Sequence, residues 1–133
     1  MALLTDNTTS KMLEDRLNEF TEYGMTLYYL LEEGRLDIKD LESIFFSRDD
    51  EKSSCIYSKI LRHTKPNDLT KSFERYSVDH PELNELDDRT AKKDLNIIYT
   101  KKILDLVTAK YSNKLDKTYI NTYEHLLQIK TSR

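Results

Sequence analysis

Apolar residues recur at helical spacing through the first quarter of the chain. Leu13, Leu17, Phe20, Gly24, Leu27 and Leu31 follow one another at steps of four, three, four, three and four. That period places all six on one stripe of an α-helix and is incompatible with the alternation of a strand. The rest of the chain allows the same solution, because 133 residues contain only two Gly and two Pro. So few breakers leave little material for the tight turns of a strand-rich fold. The spacing predicts an all-α fold: a compact irregular bundle of about five to six helices. Two of them are long, at about 10–33 and 88–111.

Gly24 stands in the middle of the first seam, where glycine costs about 1 kcal/mol relative to alanine. It is either incidental or the mark of another backbone passing close by. Thr9 or Ser10 is the expected N-cap of this helix, and Gly34 its left-handed stop. Asp37 opens a short helix with Ile38, Leu41, Ile44 and Phe45 on one face. Residues 47–52 read as a charged loop. Ser53 or Ser54 starts the next helix, with Ile56, Ile60 and Leu61 inward, ending before Pro66. Asn67 or Asp68 caps a helix carrying Leu69, Phe73 and Tyr76. Residues 77–88 form the main interruption, a hinge or loop within one domain spanning 1–133, where Pro81 opens a single turn. Asp87 or Asp88 begins the second long helix and Asp116 the last, with Ile120, Tyr123, Leu127 and Ile129 or Lys130 near its inner face.

The helix at 88–111 carries two apolar seams. The main stripe is Ala91, Leu95, Ile98, Tyr99, Ile103 and Leu106. Ile97, Leu104 and Tyr111 recur nearly opposite. Two seams belong to a helix at the centre of a bundle, or to one packed inside on one side and against a partner on the other. Lys102 falls within the main stripe. It is expected either to snorkel to water or to meet a carboxylate of the first helix.

Charge is divided along the chain. Residues 1–51 hold 5 Lys/Arg and 13 Asp/Glu, and residues 52–133 hold 16 and 11, within a total of −3. The division fits pairing between segments of one bundle as well as pairing with a partner. Residues 89–133 carry 10 Lys/Arg, 4 Asp/Glu and four Tyr. Arg89, Lys92, Lys93 and Lys110 share a broad face there, suited to phosphates if the chain binds nucleic acid.

Chemistry-bearing motifs are few. His63, His80 and His125 lie in different segments, without metal-ligand spacing, and there is no Cys-x-x-Cys. Two isolated Gly make neither a P-loop nor a dinucleotide fingerprint. No metal and no cofactor is expected. Cys55 lies eight residues before His63, too far for contact within one helix, and reads as a small buried thiol. It cannot form an internal disulfide, which fits a reducing compartment. The start of the chain has no basic segment followed by a long apolar run, so no leader peptide is expected. No apolar run spans a membrane.

Arg75-Tyr-Ser-Val-Asp-His80 resembles the Arg-x4-His motif of helical ribonucleases of the HEPN class. In that class an Arg and a His from two subunits meet at a dimer interface and act on RNA. The likeness covers six residues. It departs from the family pattern at Tyr76, where a polar residue is usual, and at Pro81, which stops the helix that normally follows. What it implies is a dimeric ribonuclease using Arg75 and His80.

The leading expectation is a small non-enzymatic protein of the cytoplasm that works by binding another protein, as adaptor, inhibitor or regulator. Its composition is of the kind found among viral and mobile-element accessory proteins. Ile97, Leu104 and Tyr111 are the expected partner-binding residues, covered by another protein or by a second copy. A nucleic-acid-binding regulator using the basic C-terminal helices is the alternative. No membrane contact is expected.

Overall fold

The computed structural model describes residues 7–131, which form six α-helices and, among the described residues, no strand. In chain order they are α1 (Asn7–Glu32), α2 (Ile38–Phe46), α3 (Asp50–Arg62), α4 (Pro66–Ser77), α5 (Asp88–Tyr111) and α6 (Lys117–Thr131). A single 3₁₀ turn, Pro81–Leu83, lies between α4 and α5. The chain is the compact helical bundle that the spacing predicts.

The helix boundaries follow from local chemistry. Helix α1 starts at Asn7, so Thr9 and Ser10 lie inside it rather than capping it. It stops at Gly34, whose φ of 73° puts it in the left-handed region. Arg35 N–H then closes back on Leu30 O at 3.0 Å, satisfying a carbonyl at the helix end. Asp37 caps α2 by accepting Lys39 N–H at 3.1 Å. Helix α3 begins three residues earlier than Ser53, because Asp49 accepts Lys52 N–H at 3.1 Å; half of the expected charged loop is therefore helical. Pro66 takes the first position of α4, where its missing N–H costs nothing. Asp87 caps α5 through Thr90 N–H at 2.8 Å, and Asp116 caps α6 through Thr118 N–H at 2.9 Å.

Helix α5 is central: it packs on α1, α2, α4 and α6, with the most extensive contact along α1. Gly24 is a point of close approach between α1 and α5. A Cβ built there would stand 2.1 Å from Thr100 Oγ1 and 2.3 Å from Asn96 O. So the glycine is a packing requirement and not an accident. Around it α5 side chains bond directly to the α1 backbone. Asn96 accepts Met25 N–H at 3.0 Å and donates to Glu22 O at 2.9 Å. Thr100 Oγ1 lies 3.1 Å from Phe20 O and 2.7 Å from Asn96 O. These polar groups are buried but partnered, which is the condition for burying them without a net penalty.

The core surrounds this crossing. The Phe20 and Phe45 rings lie 4.0 Å apart, and the Tyr57 and Tyr123 rings meet them edge-on. Buried Arg16 donates to Phe45 O at 3.3 Å and lies 3.5 Å from Asp50. Tyr123 O–H donates to the same carbonyl at 2.6 Å.

Several expected faces are rotated. In α4 the buried residues are Asp68, Ser72 and Tyr76, while Leu69 is exposed. The rotation has a cause: Arg35 donates to both carboxylate oxygens of Asp68, at 2.7 and 3.0 Å, and Thr26 hydroxyl lies 3.3 Å from that of Ser72. In α3, Ser53 and Tyr57 are buried, and Ile56, Ile60 and Leu61 only half-buried. Cys55 is exposed, not the buried thiol that its size suggests. In α6, Tyr119, Thr122, Tyr123 and Leu127 face inward and Ile129 is exposed.

The α1–α5 contact is built on apolar packing and on the hydrogen bonds around Gly24. Arg75–Glu32, at 3.8 Å, joins a cation of the basic part to an anion of the acidic part. Arg35–Asp68 and Arg48–Asp116 run the other way, each placing the cation in the acidic part.

Candidate interface on helix α5

The two seams of α5 resolve differently from their spacing. Leu104, with Ile103, Val107, Leu95 and Tyr99, belongs to the core, while Leu106 is exposed. Ile97 and Tyr111 are half-buried against the core. Leu104 therefore offers no exposed side chain of its own. Lys102 is exposed, with its ammonium 4.8 Å over the Tyr99 ring; it covers a core aromatic instead of meeting a carboxylate of α1.

Two grooves lie side by side along α5. One, of about 650 Å³, runs between α5 and α6. Leu104 and Leu127 form its floor, Ile97 and Ile98 its apolar wall, and Lys101, Lys102, Asp105 and Glu124 its rim. It exists because α6 contacts α5 far less closely than α1 does. The other, of about 780 Å³, lies between α1 and the first half of α5, with Lys130 of α6 at its edge. Arg89, Lys92, Lys93 and Lys130 supply four cations to it against the single carboxylate of Glu22. Lys92 also lies 5.0 Å over the Phe73 ring. Ile97 lines both grooves, so the apolar and the basic surface meet at one residue.

The expected site residues are thus partly gathered. Arg89, Lys92 and Lys93 share one groove, and Ile97 and Leu104 share the next. Lys110 and Tyr111 lie elsewhere, at the C-terminal end of α5, with the ammonium 5.7 Å from the ring. Lys130, Ile98 and Leu127 enter the surface unanticipated. Ile98 belongs to the main stripe that the spacing assigns to the core, and Lys130 and Leu127 come from α6, to which no spacing within α5 points.

Arg75 and His80 flank an aromatic cluster of Tyr76 and Tyr99. Arg75 lies at the last turn of α4, beside Glu32 and 5.8 Å from the Tyr76 ring. Tyr76 hydroxyl donates to Glu32, and the Tyr76 and Tyr99 rings are 4.3 Å apart. Both nitrogens of His80 have neighbours: Nδ1 is 3.0 Å from Glu82 and Nε2 is 3.3 Å from Tyr99 hydroxyl. Burial, reinforced by the charge of Asp79, pushes the Tyr99 phenol up to about 12. The phenol stays protonated at neutral pH, and its hydroxyl is the group that meets the imidazole. Of the expected interruption at 77–88, residues 78–87 lie between the helices as a run of hydrogen-bonded turns tied to α5 through this contact.

Among the described residues no group of three or more His, Cys, Asp or Glu is placed to hold a metal ion. No helix among them is long and apolar enough to cross a membrane. No protein-family model, no curated protein and no solved structure matches the chain.

Proposed function

We propose that the chain works by binding another protein, as an adaptor, inhibitor or regulator, through the outer face of α5 and the end of α6. The observation that carries this reading is the meeting of an apolar groove and a basic groove at Ile97. Protein interfaces combine an apolar centre with a charged rim. Here Leu104 and Leu127 form the base of such a centre, and Arg89, Lys92, Lys93 and Lys130 lie to one side of it. Most of the surface of α5 is committed to α1, α2, α4 and α6, which leaves the strip of Arg89, Lys93, Ile97 and Lys101 for a partner. We place the protein in the cytoplasm, where an exposed thiol such as Cys55 stays reduced.

The test is a paired capture experiment from the cells that express the chain. Wild-type protein is expected to retain a discrete protein partner that Ile97→Glu loses and that Lys59→Glu, on α3, keeps. Equal retention by all three would refute the reading.

Nucleic-acid binding is the second reading, favoured by the same four cations. It ranks lower because no aromatic side chain lines the basic groove to stack on a base, and Glu22 stands inside it. The dimeric ribonuclease ranks third, because the flanking Glu82 and Tyr99 occupy both nitrogens that a catalytic His80 would need.

A further inference from the structure

We infer that the partner segment is an amphipathic α-helix that is acidic at one end, lying along α5 with its carboxylates toward Arg89 and Lys93. This inference rests on the protein-binding reading above and adds the chemistry of the occupant. Its first support is charge. The groove at the start of α5 holds four cations and one carboxylate. The rim of the groove beyond Ile97 holds Lys101 and Lys102 against Asp105 and Glu124, which balance. A complementary segment is therefore acidic at one end and mixed at the other.

The second support is the apolar floor. Leu104 and Leu127, with Ile97 and Ile98, form an aliphatic trough between two helices. Aliphatic side chains suit the apolar stripe of a helix and give a nucleobase no flat face to stack on.

The third support is backbone accounting. Among the described residues there is no strand, so an extended peptide finds no sheet edge for its N–H and C=O groups. A helix satisfies those groups internally and needs only side-chain contacts. The length agrees: from Arg89 to Asp105 along α5 is about 24 Å, the span of about four to five helical turns.

The experiment uses the full chain, isotope-labelled, and three probes. The first is a 16-residue amphipathic peptide of about four turns, with Leu at helical spacing and Glu over its last turn. The second is the same peptide with Lys in place of Glu, and the third is a single-stranded RNA of similar length. Binding is read by fluorescence anisotropy at low and high salt, and the site by amide chemical shifts. The Glu peptide is expected to bind about tenfold or more tightly than the Lys peptide at low salt. It is expected to shift amides in 89–105 and 124–131, and to lose the advantage at high salt. Arg89→Glu/Lys93→Glu is expected to invert the preference. Should that variant fail to fold, Lys130→Glu is expected to narrow it. Equal binding of both peptides on this face would overturn the acidic chemistry and leave the protein-binding reading standing. Binding of RNA alone, lost in the charge-reversed variant, would overturn both. Absence of binding by every probe would overturn the inference, while the capture experiment decides the broader reading independently.

Discussion

Gly24→Ala is expected to destabilise the bundle, although alanine is the better helix former. The helix-propensity gain is about 1 kcal/mol. Against it stands a methyl group that would lie 2.3 Å from Asn96 O and 2.9 Å from Thr100 N, both backbone atoms that cannot swing aside. Helix α5 must move away from α1, and overpacking of this kind costs about 1–3 kcal/mol. The displacement also stretches the bonds from Asn96 to Met25 and Glu22 and from Thr100 to Phe20. Each contributes about 1 kcal/mol, and more if a buried group is left unpaired. Taken together the net loss is about 2–4 kcal/mol, enough to lower the melting temperature by about 10 °C in a domain of this size without preventing folding. Circular dichroism through thermal and urea unfolding measures it. Thr100→Ala added to Gly24→Ala should not restore stability, because it removes Thr100 Oγ1 and leaves both backbone contacts. A Gly24→Ala protein as stable as wild type, or more stable, would refute the close crossing and with it the placement of α5.

Four further outcomes follow from named contacts. Leu104→Ala should cost about 2–4 kcal/mol in urea unfolding and Leu106→Ala well under 1 kcal/mol, since the first is buried and the second exposed. Tyr123→Phe should cost about 1–2 kcal/mol by removing the buried bond to Phe45 O. Asp68→Asn should cost about 2 kcal/mol at pH 7, because it removes the charge and one of the two oxygens that accept from Arg35 and Lys65. Hydrogen bonding to Arg35 lowers the Asp68 pKa in the folded state, so this contribution is present above about pH 4 and is lost as pH falls through the depressed value. The two proteins should therefore converge in stability in strong acid, and an unchanging gap between them would contradict the pairing. Cys55 should react fully with a thiol reagent in the native protein, at a rate unchanged by mild stabilisers, because it is exposed and needs no unfolding.

The helices were legible in the sequence because their signals are local. The Leu13–Leu31 seam, the Asp37 cap, Pro66 and Gly34 each act within a turn or two and mark where elements lie. Helices α1, α3 and α4 nonetheless each begin a few residues earlier than expected, α4 at Pro66 with Lys65 rather than Asn67 or Asp68 as its cap. Which side of a helix faces the core was less legible, since apolar periodicity marks only part of a buried face. In α4, Asp68 and Ser72 are buried through bonds to Arg35 and Thr26, partners more than thirty residues away. Asn96 and Thr100 follow the same logic, and a signal for them did exist. Two small polar residues at i, i+4 within an apolar helix are what a close crossing over Gly24 requires. Leu104 and Leu106 exchanged roles because α5 is covered on several sides, which blurs any single stripe. The candidate surface was half legible: Arg89, Lys92, Lys93 and Ile97 are neighbours within α5. Lys130 and Leu127 join them only through tertiary packing.

The measurement that bears most directly on the proposed binding face is site-specific photo-crosslinking in the cells that express the chain. A photoreactive side chain at position 101, on the rim of the α5–α6 groove, is compared with one at position 59 on α3. A single protein crosslinked from position 101 and absent from position 59 is the predicted result. Crosslinks to RNA, or the same products from both positions, would contradict it.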